Sequence, residues 1–228
     1  MQLFYTDSHD YQTFVIEGQE AIHAIKVLRK SVGSVVNLTD GKGAQLEGRI
    51  TEVRRQYIRG EILHRRDHEF DTQRPHLAFG LLKNTTRLEW LIEKSTEIGA
   101  QSLVPLITEH AERTTIKTER LQKIILSASK QSMQFHFPKL SEPVRFTDYL
   151  NQAPEVKRLI AHYRPENQDI STVLSVPTES VILIGPEGDF SAAEVSQAER
   201  QGFQLVNLGS SRLRAETACL VALTHLMP

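Results

Sequence analysis

From His76 to Leu226 the chain alternates short apolar runs with segments of helical periodicity, and this alternation restricts the fold more than any other feature. The apolar runs are HLAFGLL (76–82), SLVPLIT (102–108), VKRLIAHY (156–163), SVILIG (180–185) and FQLVNLG (203–209). Between them, Arg87–Gly99 puts Leu88, Leu91, Ile92, Ser95 and Ile98 on one helical face and stops at a glycine. Leu121–Met133 forms a second amphipathic pattern. Ser191 and Glu194 make an S-x-x-E capping box that opens a helix running to Gly202, and Ala215–Leu226 closes the series. Strands alternating with helices predict an α/β layer on a mostly parallel sheet.

Before His76 the pattern is different. SVVNLTDGKGAQLEGRITEVRRQYIRGEIL alternates apolar and polar residues and breaks at Asp40-Gly41-Lys42-Gly43, a strong hairpin signal. GQEAIHAIKVLR, just upstream, reads as a short helix. DHEFDTQRP (67–75) is polar, ends in proline and reads as a linker. The expected division is a small β-rich domain over 1–71 and an α/β domain over 72–228.

Composition narrows the function classes. A chain of 228 residues with 39% hydrophobic and 24% charged content can bury a core as a globular protein. No apolar run nears the ~20 residues of a membrane span. MQLFYTDSHDY lacks the basic and apolar regions of a secretory leader, so no membrane partner and a cytoplasmic setting are expected. The single cysteine, Cys219, allows no internal disulfide and sits in ACLVAL, where a core role is expected. The net charge of −1 gives no hint of a polyanionic partner, but its distribution does. Residues 83–145 carry ten basic and seven acidic side chains, residues 146–228 six and ten. RRQYIRGEILHRR (54–66) holds five arginines and one glutamate. From charge alone, a docked polyanion and a solvated strand pair are both open readings.

Two loops stand out, GPEGDF after VILIG and GSSRLRAETA after QLVNLG. Both leave strand C-terminal ends and enter helices, the rim where open α/β sheets bind ligands. Gly185, Gly188 and Gly209 would let backbone approach a ligand closely, and a tight structural connection is the alternative. G-x-G-x-x-G, the P-loop, H-E-x-x-H, paired C-x-x-C and G-x-S-x-G are all absent. A Rossmann dehydrogenase, a P-loop enzyme and a zinc hydrolase are thereby excluded.

IGPEGDFSAAEV followed by LGSSRLRAETACLVAL closely resembles the last third of the RsmE family, bacterial 16S rRNA uridine-N3 methyltransferases of the SPOUT superfamily. HAIKVLRKSVGSVVNLTDGKG, EWLIEKSTEIGAQSLVPLITEHAER and KIILSASKQS resemble further family segments, in family order over nearly the whole chain. The resemblance implies an α/β protein with a small N-terminal PUA-like β-barrel, then a SPOUT-type domain with a C-terminal trefoil knot. It implies S-adenosylmethionine as cofactor, no metal, a homodimer, and 16S rRNA, within the 30S subunit, as substrate in ribosome biogenesis. Two departures are visible. Gln134 stands near a position that is usually basic, which leaves an RNA contact there to Lys130 or His136. Asp189 stands where many members have a third glycine, and an acidic residue at a helix start is favourable.

By resemblance, the cofactor is held by Leu183, Ile184, Gly185, Pro186, Glu187 and Gly188 in the first loop. Leu208, Gly209, Arg212 and Leu213 hold it in the second, with Glu216, Thr217 and Ala218 at the helix start. Arg214 is the candidate for stabilising charge on the uracil oxygens or positioning the target. A salt bridge to Glu216 or Glu187 is its alternative. Glu187 is open to three roles: base, cofactor contact or loop brace. His23, Arg29, Lys42, Lys83, Arg87, Arg113 and Gln131 are the RNA-binding candidates. Glu89, Glu93 and Glu97 form a carboxylate row on one helix, and Glu97 is expected to meet an arginine, in the chain or across a dimer. The rival readings are a SPOUT enzyme acting on another RNA and a non-catalytic RNA-binding or ribosome-assembly protein.

Overall fold

The computed structural model describes residues 2–173 and 178–227. The chain forms two compact units. One comprises the chain up to Phe70 together with Leu126–Phe137, and the other Asp71–Ile125 and the chain from Pro138 onward.

The first unit is a curled six-stranded sheet of β1 (Leu3–Tyr5), β2 (Ser8–His9), β3 (Thr13–Glu17), β4 (Val35–Thr39), β5 (Ala44–Arg54) and β6 (Tyr57–Asp67). Its order is β1-β4-β5-β6-β3-β2, with β1 and β4 parallel and the other pairs antiparallel. The hairpin expected at Asp40–Gly43 joins β4 to β5. Its turn is held by the Asp40 carboxylate, which accepts from the N–H groups of Lys42 (2.8 Å) and Ala44 (3.0 Å). Alternation along β5 and β6 sends Leu46, Ile50 and Ile58 inward with Phe14, Ile16 and Leu38. Phe14 lies flat on two glycines: a Cβ at Gly48 or Gly60 would sit 2.2 or 2.3 Å from its ring.

The expected short helix is present as α1 (Gly18–Ile22), which runs on as a π-helical turn over His23–Val27. After helix α3 (Thr118–Gln131), Phe135–Phe137 lies against the Asp40 turn. Gly43 donates to the Phe135 carbonyl and Phe137 to that of Gly41, both at 2.9 Å. A Cβ on Gly41 or Gly43 would collide with the Phe137 or His136 ring at 2.6 Å. Lys130 and His136, named for an RNA contact, have partners within this unit. Lys130 pairs with Glu20 at 2.8 Å. His136 hydrogen-bonds the His68 carbonyl at 2.8 Å and meets Phe70 edge-on. The arginine-rich run lies on exposed positions of the β5–β6 hairpin, with Arg54 paired to Glu52 and Arg65 to Asp67.

The second unit is a seven-stranded, wholly parallel sheet: β7 (His76–Gly80), β8 (Ser102–Ile107), β9 (Lys139–Leu140), β10 (Val144–Arg145), β11 (Lys157–Ala161), β12 (Ser180–Ile184) and β13 (Gln204–Val206). Its order is β10-β8-β7-β12-β11-β13, with β9 on β8. The helices are α2 (Thr85–Ile98), α4 (Phe146–Gln152), α5 (Ile170–Val173), α6 (Ala192–Arg200) and α7 (Ala215–Leu226), besides the first half of α3. The strands and long helices expected from periodicity are all present; β9, β10, α4 and α5 are additions.

Asn84 caps α2 through Arg87 N–H, and left-handed Gly99 ends it. The capping box of α6 forms in full, and Glu194 also accepts from Glu109 N–H at 2.8 Å, so this buried carboxylate is bonded through both oxygens. Leu183, Ile160, Val181, Phe146 and Phe190 fill the core on one face. Cys219 is buried, and burial pushes its thiol pKa up. One expectation needs correction. The stretch read as a linker holds a buried Arg74, whose guanidinium donates to the carbonyls of Gly99 (2.5 Å) and Ala100 (3.2 Å). Lys94 is one partner of Glu97, at 2.9 Å, and Arg120 engages Glu89. Among the described residues no helix is long and apolar enough to cross a membrane.

Candidate active site

β7 leads outward to β8 on one side, while its other neighbour, β12, belongs to the β11–β12–β13 half. The sheet order reverses between β7 and β12, and ligands of open α/β sheets bind at the strand C-terminal ends beside such a reversal. A cleft of about 740 Å³ opens there. Ala161, Ile184 and Val206 from three strand ends line it, followed by the two loops singled out in the sequence, the start of α7, and Arg87 from α2.

The first loop is tightly bonded. Asp189 N–H donates to the Pro186 carbonyl at 2.9 Å, closing a turn over Pro186–Asp189. Gly80 ends β7 as a glycine because a Cβ there would lie 2.4 Å from Pro186. Glu187 accepts from Lys83 N–H at 3.3 Å. Asp189 adopts a left-handed φ of 60°. A glycine would take that conformation without strain. Ser191 is the N-cap of α6, and Asp189 stands two residues before it. Its Oδ1 accepts from Phe190 N–H at 2.7 Å and its Oδ2 meets His162 Nδ1 at 3.1 Å.

The second loop is anchored at its entrance only. Asn207 bonds the backbone of Arg164 and Asn167 through its side chain. Gly209, at φ 85°, donates to Asp169 Oδ2 at 2.9 Å. The Ser171 hydroxyl and N–H, and then Gly209 N–H, hold the Asp169 carboxyl below its ordinary range. Among the described residues, Ser210–Leu213 have no backbone hydrogen-bond partner, and Ser210, Ser211 and Arg212 are exposed. Arg214 is the N-cap of α7 but offers no side-chain cap. The helix therefore brings unbonded N–H groups, with their partial positive charge, to the cleft wall.

Of the expected cofactor residues, Ile184, Gly185, Pro186, Glu187, Leu208, Gly209, Arg212, Leu213 and Ala218 line this cleft, and so does Arg214. Leu183 lies in the core, Gly188 faces His110, and Thr217 is half-buried outside the lining. Glu216 is buried outside the lining too, 3.5 Å from Arg87 Nε, and its Oε2 has no hydrogen-bond partner among the described residues. Arg214 makes no ion pair among the described residues, so the expected alternative of a bridge to Glu216 or Glu187 is not formed. Arg87, expected at RNA, stands in the cleft wall. Lys83 pairs with Glu112, and Arg113 donates to Thr85 at 3.0 Å. His23, Arg29, Lys42 and Gln131 are exposed in the first unit. Sequence reasoning missed His162, Tyr163, Ser210 and Ser211. The two serines lie inside a loop already singled out, and His162 and Tyr163 follow β11 with no motif to mark them.

The comparisons with known proteins agree with this geometry. An RNA methyltransferase domain model matches residues 69–227. Ribosomal RNA small subunit methyltransferase E of Bacillus subtilis is 28% identical over 93% of this chain and 88% of its own length. The crystal structure of a probable rRNA-methyltransferase from Porphyromonas gingivalis is 34% identical, covers 98% of this chain and 96% of its own, and superposes with a TM-score of 0.88. Ribosomal RNA small subunit methyltransferase E from Neisseria gonorrhoeae, solved with bound S-adenosyl methionine, is 27% identical over 98% and 95% of the two chains, with a TM-score of 0.87. With most of its length matched by the family model and its fold shared with these enzymes, this chain belongs to the RNA methyltransferase domain family.

Proposed function

We propose that the chain is an S-adenosylmethionine-dependent rRNA methyltransferase that modifies N3 of one uridine in 16S rRNA, acting on the small subunit as a homodimer. One observation carries the reading: the bare backbone of Ser210–Leu213 faces the glycine-bounded GPEGDF turn across a cleft at the sheet's reversal point. The same fold in the Neisseria gonorrhoeae relative holds S-adenosyl methionine. The residues here fit that cofactor. An open backbone edge suits a nucleoside, and the unbonded N–H groups of α7 suit a carboxylate.

When bound, S-adenosylmethionine supplies an electrophilic methyl group on a sulfonium. The chain's own part is to orient the uracil and manage its charge. Arg214, with no competing ion pair among the described residues, stabilises negative charge growing on the ring oxygens as N3 gives up its proton. Glu187, fixed through Lys83 N–H, is the carboxylate placed to take that proton, because the Asp189 carboxylate is engaged by His162. The N3–carbon bond forms as the sulfur–carbon bond breaks.

The knotted reading draws support from Asn207, which is bonded to Arg164, Asn167 and Gln168 just before the chain passes on to α7. The loop that would encircle it includes residues 174–177, which lie outside the described ones. The PUA-like reading draws support from the curled sheet of the first unit.

The test is methyl transfer to 30S subunits lacking the modification, followed by primer extension. An N3 methyl blocks Watson–Crick pairing and stops the polymerase, so a new stop at one uridine of 16S rRNA is expected. Methyl incorporation into tRNA with none in 16S rRNA would overturn the substrate assignment.

A further inference from the structure

Asp189 is bonded from two sides. His162 reaches its carboxylate at 3.1 Å, and His110 Nδ1 reaches its carbonyl at 3.2 Å. The residue holds a φ of 60°, a conformation costing a non-glycine residue about 1 kcal/mol or more. Strain kept where a glycine would remove it points to a job for the side chain. A carboxylate only accepts hydrogen bonds, so His162 Nδ1 must carry the proton in this pair. With a single ring proton, placed on Nδ1 by this pair, Nε2 is the acceptor. His162 lines the cleft with its side chain largely buried, at 22% exposure. Its main chain is fixed as well. Its N–H donates to the Val206 carbonyl at 3.2 Å, and its carbonyl accepts from Asn167 Nδ2 at 2.7 Å. A histidine held in one tautomer by a carboxylate and seated in a cleft wall is a device for reading a donor group.

We propose that His162 is a cofactor-recognition residue whose Nε2 accepts a hydrogen bond from a donor on the adenosyl group, and that Asp189 is the positioning residue that sets its tautomer. This rests on the cleft being the S-adenosylmethionine site. The donor is a ribose hydroxyl or the adenine amine, and the experiment separates the two.

The measurement is calorimetric binding of S-adenosylhomocysteine and of three analogues, lacking the 2′-hydroxyl, the 3′-hydroxyl or the adenine amine. The wild-type chain should bind one analogue about tenfold more weakly than the parent, the loss of one hydrogen bond. His162→Ala should bind the parent about tenfold more weakly and lose its discrimination against that same analogue. His162→Gln, which keeps an acceptor, should recover part of both. Asp189→Gly should weaken parent binding severalfold without lowering the unfolding temperature, since it relieves the backbone. In turnover assays the loss should fall on KM for S-adenosylmethionine rather than on kcat. Uniform weakening by His162→Ala across the parent and all analogues would overturn the proposal, as would unchanged discrimination. Failure of the folded wild-type chain to bind the parent would instead overturn the cofactor site itself, and the inference with it.

Discussion

Gly185–Phe190 and Leu208–Arg214 leave parallel strands at one rim and face the same cleft, yet their internal bonding differs. In the first, the turn, the Lys83 and Phe190 amides, His110 and His162 all fasten the loop. In the second, bonding among the described residues ends at Gly209, and Ser210–Leu213 run on with no backbone partner there. The first is a finished wall that exists without ligand. The second is a set of unspent donors and acceptors. A pocket made of one fixed and one open side can be shaped in advance and still keep its polar groups for what enters.

The contrast can be broken from either side. The largest effect is expected at Arg214, the open loop's exit. Arg214→Ala should lower kcat for methyl transfer by about 100-fold or more while leaving S-adenosylmethionine affinity within threefold. Near-normal single-turnover rates would remove it from the chemistry. Next comes the fixed wall. A Cβ at Gly185 would fall 2.8 Å from Asp189 Oδ1 and 3.1 Å from the Asp189 Cα and Phe190 N, atoms that are pinned. Gly185→Ala should cost about 2 kcal/mol in chemical denaturation and weaken cofactor binding.

The matched change in the open loop should be milder. Gly209→Ala meets no atom within 4 Å, so only its φ of 85° opposes it, at about 1 kcal/mol. If the two alanines cost the same, the two loops are not different in the way described. The smallest effect concerns pH. Asp169 has a depressed carboxyl pKa, so its hold on Gly209 is complete above the ordinary value of 3.8 and is lost as pH falls through the lower folded value. Amide exchange at Gly209 should be flat with pH down to that range, once corrected for intrinsic rates, and protection should fall below it. Asp169→Ala should show the low-pH behaviour at every pH.

Much of the parallel sheet was legible because its elements are long and periodic. Leu88, Leu91, Ile92 and Ser95 mark the buried face of α2 one turn after another, and Ser191 with Glu194 declares the start of α6. The two-residue strands β9 and β10 carry no period to read. Arg74 looked like linker polarity because its burial depends on carbonyls of Gly99 and Ala100, some 25 residues away. The same holds for the cleft. Both loops were visible as glycine-rich turns after apolar strands, and within them the family resemblance pointed to Ile184–Glu187, Leu208, Gly209, Arg212 and Leu213. His162 could not be, since nothing local in IAHYRP distinguishes a surface histidine from one paired with Asp189, 27 residues on. The pairing of Phe135–Phe137 was not legible either, for its partner is the distant Asp40 turn.

The contact of Gly80 with Pro186, and of Lys83 N–H with Glu187 across 104 residues of sequence, bears on how the protein is made. A nascent chain can form β7 and β8 early, but the seat of the cleft needs β12 in register beside β7, and its far wall needs α7, which emerges later than either. Contacts of such sequence separation form slowly. The cleft is therefore completed late, and occupancy by a small ligand would stabilise only molecules in which it has formed. Ligand-dependent protease resistance, measured during synthesis, would then report the moment of completion.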